Sequence, residues 1–582
     1  MGRSLVTFAS YSRSRSVGPD SAAPSHRIGK PAPAVRVTFG AVARTVASVA
    51  LNTSTEPIPT AGRPGNERAG PGAVVGGAIG FLSAAVALGM GHLTAGFVGG
   101  TSSPVIAVGS TAIDASPEWL KSYAIRTFGT NDKAVLVAGI GVVVAIVAIL
   151  VGVIALHRPR VGVVALIALG AVGAAAAVAR PENGVGAAVP SIVATAAGLA
   201  TFRWLRRTAG TGTPVTGAAD PDAIAPSSFD RRRFLLAGAG AAGLAAVSGL
   251  AGRFLIRRAE ASASRAAVRI PAPTDVAPPP PAGADLRIPG VGPFITPNDV
   301  FYRVDTSLLV PSVTAEGWNL RIHGMVRDEL SLDYAALLAR SLMERDVTLT
   351  CVSNPVGGRY IGNARWIGAP LADLLREAGV DPGADQIVSR SVDGFTVGTP
   401  TAVVMDGRDA MLAVAMNGQP LPLEHGFPVR MIVPGLYGYV SATKWLVDIE
   451  LTTFASYDAY WVHRGWAQQA PIKTESRIDL PKPGATVPAG PVTVAGIAWA
   501  QHRGISRVEV SVDGAWQPAR LAAQDTIDTW RQWVYDWDAT PGEHTLAVRA
   551  TDGTGATQTA TPADPVPNGA TGDHTISVTV SG

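Results

Sequence analysis

Five stretches of this chain contain no Asp, Glu, Lys or Arg: 71–97, 134–156, 161–179, 184–202 and 234–252. A helix needs about 20 apolar residues to cross the hydrocarbon core of a bilayer, so each run is long enough, or nearly so, to span one. One long buried helix is compatible with a soluble fold, but five in a single chain point to a membrane. Their Gly and Ala content suits close helix packing in lipid. It also lowers their hydrophobicity, most in the fourth and fifth runs. Arginine sets the orientation. The first 70 residues, "LHRPR" (156–160), "FRWLRR" (202–207) and "DRRRF" (230–234) all fall on one side if that side is the cytoplasm. Everything after Arg253 is then expected outside. Lysine accounts for only 6 of the 48 basic residues. No basic stripe alternates with aromatics, which argues against a nucleic-acid surface.

The last apolar run opens with "SSFDRRRFLL". Its Asp230, Arg231, Arg232, Phe234 and Leu235 resemble a twin-arginine export signal, placed before the final span. The plainer reading is orientation by positive charge alone. If the signal reading holds, the following domain folds before it crosses, and the last span is kept as an anchor.

Composition divides the chain further. Residues 1–70 are rich in Ser, Arg, Pro and Gly without periodicity and are expected to be disordered. Four transmembrane helices are assigned to 71–205. A cytoplasmic loop with the arginine motif and the fifth helix occupies 206–254. Residues 255–292, with "VAPPPPAGAD", read as a semi-rigid Pro-rich linker. Between 293 and 470, strand-like 320–326 and 429–434 alternate with helix-like 333–344, 369–379 and 407–416. From 471 to 582 the chain shows short alternating strands between Gly, Asp and Pro turns, as in an all-β sandwich.

Cys351, in "VTLTCVSN" (347–354), is the only cysteine. One thiol cannot form an internal disulfide or a multi-cysteine metal site. It is either a small buried hydrophobe or a thiolate serving as metal ligand or nucleophile. The stretch "LTCVSNPVGGRYIGNARWIGAPLADLL" resembles the molybdenum-binding core of the sulfite oxidase family. "MNGQPLPLEHGFPVRMIVPGLYGYVSATKWLVDIEL" (416–451) resembles that family's pterin-phosphate segment, and the terminal strands resemble its immunoglobulin-like dimerisation domain. The likeness covers about 293–582. It implies an α+β sulfite oxidase-type molybdopterin-binding domain between the membrane helices and an all-β immunoglobulin-like sandwich.

By that resemblance Cys351 ligates molybdenum held by a molybdopterin without appended nucleotide. A pterin dithiolene already brings two soft sulfurs, so one protein thiolate is enough. His425, Arg430, Ala442, Thr443 and Lys444 are expected to hold the cofactor and its phosphate. Asp393 is assigned to the pterin edge, and "FYRVDT" (301–306) contributes Tyr302, Arg303 and Asp305. Arg303 matches an arginine of the family's oxo-transfer pocket. The family's second arginine, five residues after the cysteine, is here Val356. His463 stands in "YWVHRGW" where the family has a tyrosine, with Arg464 and Trp466 retained; it is either a proton shuttle or a hydrogen-bonded core histidine.

No CxxCH haem attachment site occurs. His92 and His157 fall at opposite ends of their spans, so electrons are expected to pass to an external cytochrome or quinone-linked partner. The segment 103–133 is placed outside, where it can dock the catalytic domain. The expectation is a multi-pass oxidoreductase of the cytoplasmic membrane with its catalytic domain outside, performing two-electron oxo transfer on a small molecule. A homodimer through the sandwich is compatible with it. The alternatives are an S- or N-oxide reductase on the same scaffold, and a non-catalytic envelope protein that binds partners.

Overall fold

The computed structural model describes residues 72–582 except 118–119, 121–122, 125–126, 129–131, 182, 211–230 and 258–259. The disorder expected over 1–70, and Asp230 of the arginine motif, lie outside the described residues.

The apolar runs form helices α1 (Ala73–Val98), α3 (Asp132–His157), α4 (Pro159–Val178), α5 (Val189–Thr208) and α6 (Arg231–Arg257), with the shorter α2 (Pro104–Ala115) between the first two. Among the described residues, five helices are long and apolar enough to cross a membrane by length and composition. α1 sits centrally against α3, α5 and α6. Glycine makes this possible: a Cβ on Gly80 would lie 2.0 Å from the Ala148 carbonyl oxygen, and one on Gly252 would lie 2.6 Å from the His92 backbone. Val143, Ile146, Leu150, Ile167 and Leu250 point outward and are at least half exposed. An apolar exterior of this kind needs a cover other than water.

Helix α7 (Glu260–Ala267) leads into irregular chain, then into strands β1 (Asn319–Gly324), β2 (Leu330–Asp333), β3 (Met343–Thr350), β4 (Ile361–Pro370), β5 (Gln386–Ser391), β6 (Thr396–Pro400), β7 (Met411–Met416), β8 (Gln419–Pro420), β9 (Arg430–Ile432) and β10 (Leu446–Thr452). They build two sheets, ordered β2-β1-β10-β5-β6 and β3-β4-β7-β8, with β9 paired to β7. Short helices α8 (Tyr334–Leu338), α9 (Leu371–Ala378), α10 (Thr401–Val404) and α11 (Gly438–Ser441) connect them. One apolar core containing Trp318, Trp366, Leu412 and Phe427 joins both sheets.

Nine strands follow: β11 (Glu475–Leu480), β12 (Thr486–Pro488), β13 (Gly490–Trp499), β14 (Ile505–Val512), β15 (Ala515–Pro518), β16 (Arg520–Leu521), β17 (Arg531–Ala539), β18 (Gly542–Asp552) and β19 (His574–Ser581). Their sheets, β11-β13-β17-β16 and β12-β19-β18-β14-β15, enclose a second core. The expected sandwich is present.

Several local expectations are corrected. Residues 407–416 are helix-like in pattern, yet 411–416 form β7, buried at every position between β4 and its partners β8 and β9. A continuously apolar run does not distinguish a buried strand from a helix. The helix expected over 333–344 is only α8, started by Asp333, whose Oδ1 accepts the Ala336 N–H at 2.7 Å; Met343 and Glu344 already belong to β3. The Pro-rich linker is not a free spacer. Arg365 Nη2 donates to the Pro278 carbonyl at 2.7 Å, the Thr274 N–H to Leu342 at 2.9 Å and the Ala523 N–H to Gly283 at 3.0 Å. Hydrogen bonds to both folded domains strap it down along its length.

The bundle meets the two-sheet domain of β1–β10 at the end where α1, α4 and α6 finish and α3 begins. Leu309 approaches Gly100, and Leu308 approaches Gly109 so closely that a Cβ there would lie 2.7 Å from it. The segment expected to dock the catalytic domain does touch it.

Candidate active site

Cys351 follows the last residue of β3, and its N–H donates to the Tyr360 carbonyl at 2.9 Å. The side chain is buried, with Sγ 3.3 Å from Ser353 Oγ. Burial pushes the thiol's pKa up, against smaller opposing effects of Ser353 and Lys444. Tyr302 lies close enough to Cys351 and Arg430 for their charges to act on its phenol, and burial raises that phenol's pKa far above its usual value.

The cationic side of the site comes from β9 and the turn before β10. Arg430 is 5% exposed and lies 5.1 Å above the Trp366 ring. Its Nη1 donates to the His425 carbonyl at 3.2 Å, its Nε has no hydrogen-bond partner, and no carboxylate pairs with it among the described residues. Burial lowers its pKa to about 10. His425 bonds through Nε2 to the Asn298 carbonyl at 3.1 Å, so that nitrogen carries the proton. Burial, reinforced by Arg430, brings its pKa down to about 4 and keeps the ring neutral. Gly426, at φ +109°, lets the chain pass between these residues: a Cβ there would sit 3.0 Å from Lys444 and 3.2 Å from Arg430.

Thr443 is fixed by its carbonyl, which accepts the Met431 N–H at 2.9 Å, and by its hydroxyl, 2.6 Å from Ser389 Oγ. The Ala442 N–H donates to Gly438 at 3.0 Å. Lys444 follows them, its Nζ 2.8 Å from Asp305 Oδ2 and 4.6 Å from the Trp445 ring centroid; burial lowers its pKa to about 8. Arg303 Nε donates to the same Asp305 oxygen at 2.7 Å. Burial alone would raise the pKa of Asp305, but Lys444, Lys133 and Arg303 outweigh it and hold the carboxyl ionised, well below the usual range.

The remaining candidates sit differently. Asp393 is buried and accepts the Phe395 N–H at 3.2 Å, capping its own turn. The side chain of His463 is 64% exposed and 4.0 Å from Asp458, so it is not a core histidine. Arg464 stacks 3.6 Å from the Tyr460 ring and donates to the carbonyls of Tyr460 at 2.6 Å and Asp114 at 3.2 Å. Asp114 and Lys133, both from the helical half, reach residues singled out in the catalytic half. The sequence reading missed them as site residues. Their only signal was their position in a segment assigned to the outside.

The donor set fits a molybdopterin. A buried guanidinium with an unpartnered Nε and, among the described residues, no counter-ion calls for an anion, and a cofactor phosphate is one. Among the described residues no group of three or more His, Cys, Asp or Glu side chains could hold a metal ion. A metal at Cys351 would need further donors, and a pterin dithiolene would supply soft sulfurs of that kind.

The family and sequence comparisons agree. Residues 307–461 match the oxidoreductase molybdopterin binding domain, and residues 475–548 match a bacterial Ig domain. Sulfite oxidase of Gallus gallus is 33% identical over 293 residues, covering 42% of this chain and 63% of that protein. The uncharacterized oxidoreductase YuiH of Bacillus subtilis is 32% identical over 149 residues, covering 26% of this chain and 72% of that protein. Among solved structures, the sulfane dehydrogenase SoxCD from Paracoccus pantotrophus aligns at a TM-score of 0.43 with 26% identity, over 49% of this chain and 81% of that one. The chain spans between 52% and 63% of the length of the two sulfite oxidases it matches first.

Proposed function

The chain belongs to the sulfite oxidase family of molybdopterin oxidoreductases, and on that premise we propose that it is a membrane-anchored enzyme catalysing two-electron oxo transfer on a small, sulfite-like anion outside the cytoplasmic membrane. The observation that carries the reading is the unpaired, buried Arg430 beside Lys444, Arg303 and Cys351. This is a largely buried, positively charged cluster next to a single soft donor. Bound there, the molybdenum cofactor supplies the redox and oxo-transfer chemistry.

The chain's residues bind and orient. Cys351 offers its sulfur to the metal. Arg430, Lys444, the neutral His425 and the Ala442–Thr443 turn would hold the phosphate, and Tyr302 and Asp393 would lie toward the pterin. Arg303, one-third exposed, draws the anionic substrate. His463 faces water and moves protons between site and solvent, and Arg464 supports that edge. Electrons leave to an external cytochrome or quinone-linked partner.

The anchor and its orientation are supported by the five apolar helices and by the end of the bundle that meets the catalytic domain. That end lies opposite "LHRPR" and "FRWLRR", which positive charge assigns to the cytoplasm.

Reduction of a neutral S- or N-oxide is the second reading. It is favoured by Val356 in place of a cation and by the aromatic cluster of Tyr439, Trp461 and Trp466, with ring centroids 5.7 and 6.2 Å apart around Trp466. The deciding measurement is steady-state turnover by the full-length, molybdenum-loaded protein. Sulfite should reduce an artificial electron acceptor, and Val356→Arg should raise kcat/KM for it. Turnover of a sulfoxide, with no response to sulfite in either protein, would move the function to the second reading.

A further inference from the structure

The helix bundle reaches the catalytic domain with two charged residues. Asp114, at the end of α2, accepts the Tyr460 hydroxyl through Oδ1 at 3.0 Å and the Arg464 guanidinium through its carbonyl at 3.2 Å. Lys133, in the first turn of α3, donates to the Ser307 carbonyl at 2.6 Å and pairs with Asp305 Oδ1. The second contact bears on the site itself. The Asp305 side chain is 5% exposed; Oδ2 takes Lys444 and Arg303 Nε, while Oδ1 takes Lys133 and, at 3.5 Å, Arg303 Nη2.

A buried carboxylate must be neutralised by something. With Lys133 in place, three cations surround one carboxylate, and the surplus positive charge remains available to an anion. Without it the whole negative charge of Asp305 falls on Lys444 and Arg303, the two side chains read above as holding anions. Each anion would then have to compete with Asp305 for them.

We propose that Lys133, supplied by the membrane bundle, is a positioning residue that shares the charge of Asp305 with Arg303 and Lys444 and so leaves part of their positive charge to an anion. The inference rests on the reading of those two residues as anion-holding. It makes the bundle a wall of the site as well as an anchor, because the cation arrives only if α3 docks correctly.

The test is calorimetric titration of sulfate, an inert dianion, into the detergent-solubilised full chain loaded with molybdenum. Lys133→Met should weaken sulfate binding about tenfold, in the range expected for directly coupled residues. Lys133→Arg should bind like the parent. The double variant Lys133→Met with Asp305→Asn should recover, because no carboxylate is left to occupy Arg303 and Lys444; a loss due only to misfolding would not recover. Molybdenum content is measured alongside, and its loss in Lys133→Met should be reversed in the same double variant. Unchanged affinity in Lys133→Met, or no recovery in the double variant, overturns the proposal. If the parent itself binds no sulfate, the anionic-substrate reading falls and takes this inference with it. If the parent binds and Lys133→Met binds equally, only the inference falls.

Discussion

Two residues with contrasting needs define the site. Arg430 carries a charge that burial disfavours and that nothing among the described residues neutralises. Such a group persists in a fold when a ligand makes up the deficit. Cys351 is the reverse, a soft atom placed where its neutral form is stable until a metal claims it. Replacing Cys351 with Ser puts a harder oxygen in the same place. The holoenzyme should lose its thiolate charge-transfer absorption and most of its turnover, while pterin remains bound through the cationic residues. Visible absorption, pterin fluorescence after acid release and kcat measure the three effects separately, and full activity in the variant would remove Cys351 from the ligand role.

At the level of elements, the strand that presents Cys351 is an edge strand of its sheet, and the sandwich covers that edge. The Thr348 N–H donates to the Asp528 carbonyl at 3.0 Å, and the Trp530 N–H to Thr348 Oγ1 at 2.8 Å. Gln501, fully buried, donates through Nε2 to the Thr348 carbonyl at 3.1 Å and to Thr350 Oγ1 at 2.9 Å. An open edge would leave backbone groups unpaired beside the metal ligand. Gln501→Ala removes both bonds and leaves buried acceptors unmet, at a cost of about 1–3 kcal/mol. It should lower the thermal midpoint and increase molybdenum loss during purification, with KM for the substrate nearly unchanged. Normal stability and normal metal retention would mean the sandwich does not brace β3. The strand before Cys351 was legible because 347–350, Val-Thr-Leu-Thr, is strand-like, three of its four residues being β-branched. The brace was not, since its partners lie about 150 to 180 residues further on.

Across the whole molecule, a helical half and a catalytic half meet through a small set of polar and apolar contacts at one end of the bundle. If the arginine pair that opens α6 acts as a twin-arginine signal, the catalytic half crosses already folded. Arg231→Lys with Arg232→Lys keeps the charge and therefore the helix orientation. An external protease should then no longer reach the catalytic domain in intact cells, although the five helices still insert. Unchanged protease access in the double variant would leave those arginines with orientation alone.

Some features of this protein were decided by sequence alone because their physics is local. Five uncharged runs must be apolar helices, a chain with one thiol can offer a metal one sulfur, and period-two strands broken by turns after 471 make a sandwich. Others depended on which surfaces meet. The pattern of 411–416 suits a helix until β4, β8 and β9 border it, and the Pro-rich segment reads as a spacer until its backbone is seen bonded to both domains. Asp305 and Lys133 lie 172 residues apart, and no local pattern in the sequence couples them. Only the packing of α3 against the catalytic domain places that ammonium on that carboxylate, because a charge acts through distance in space and not along the chain.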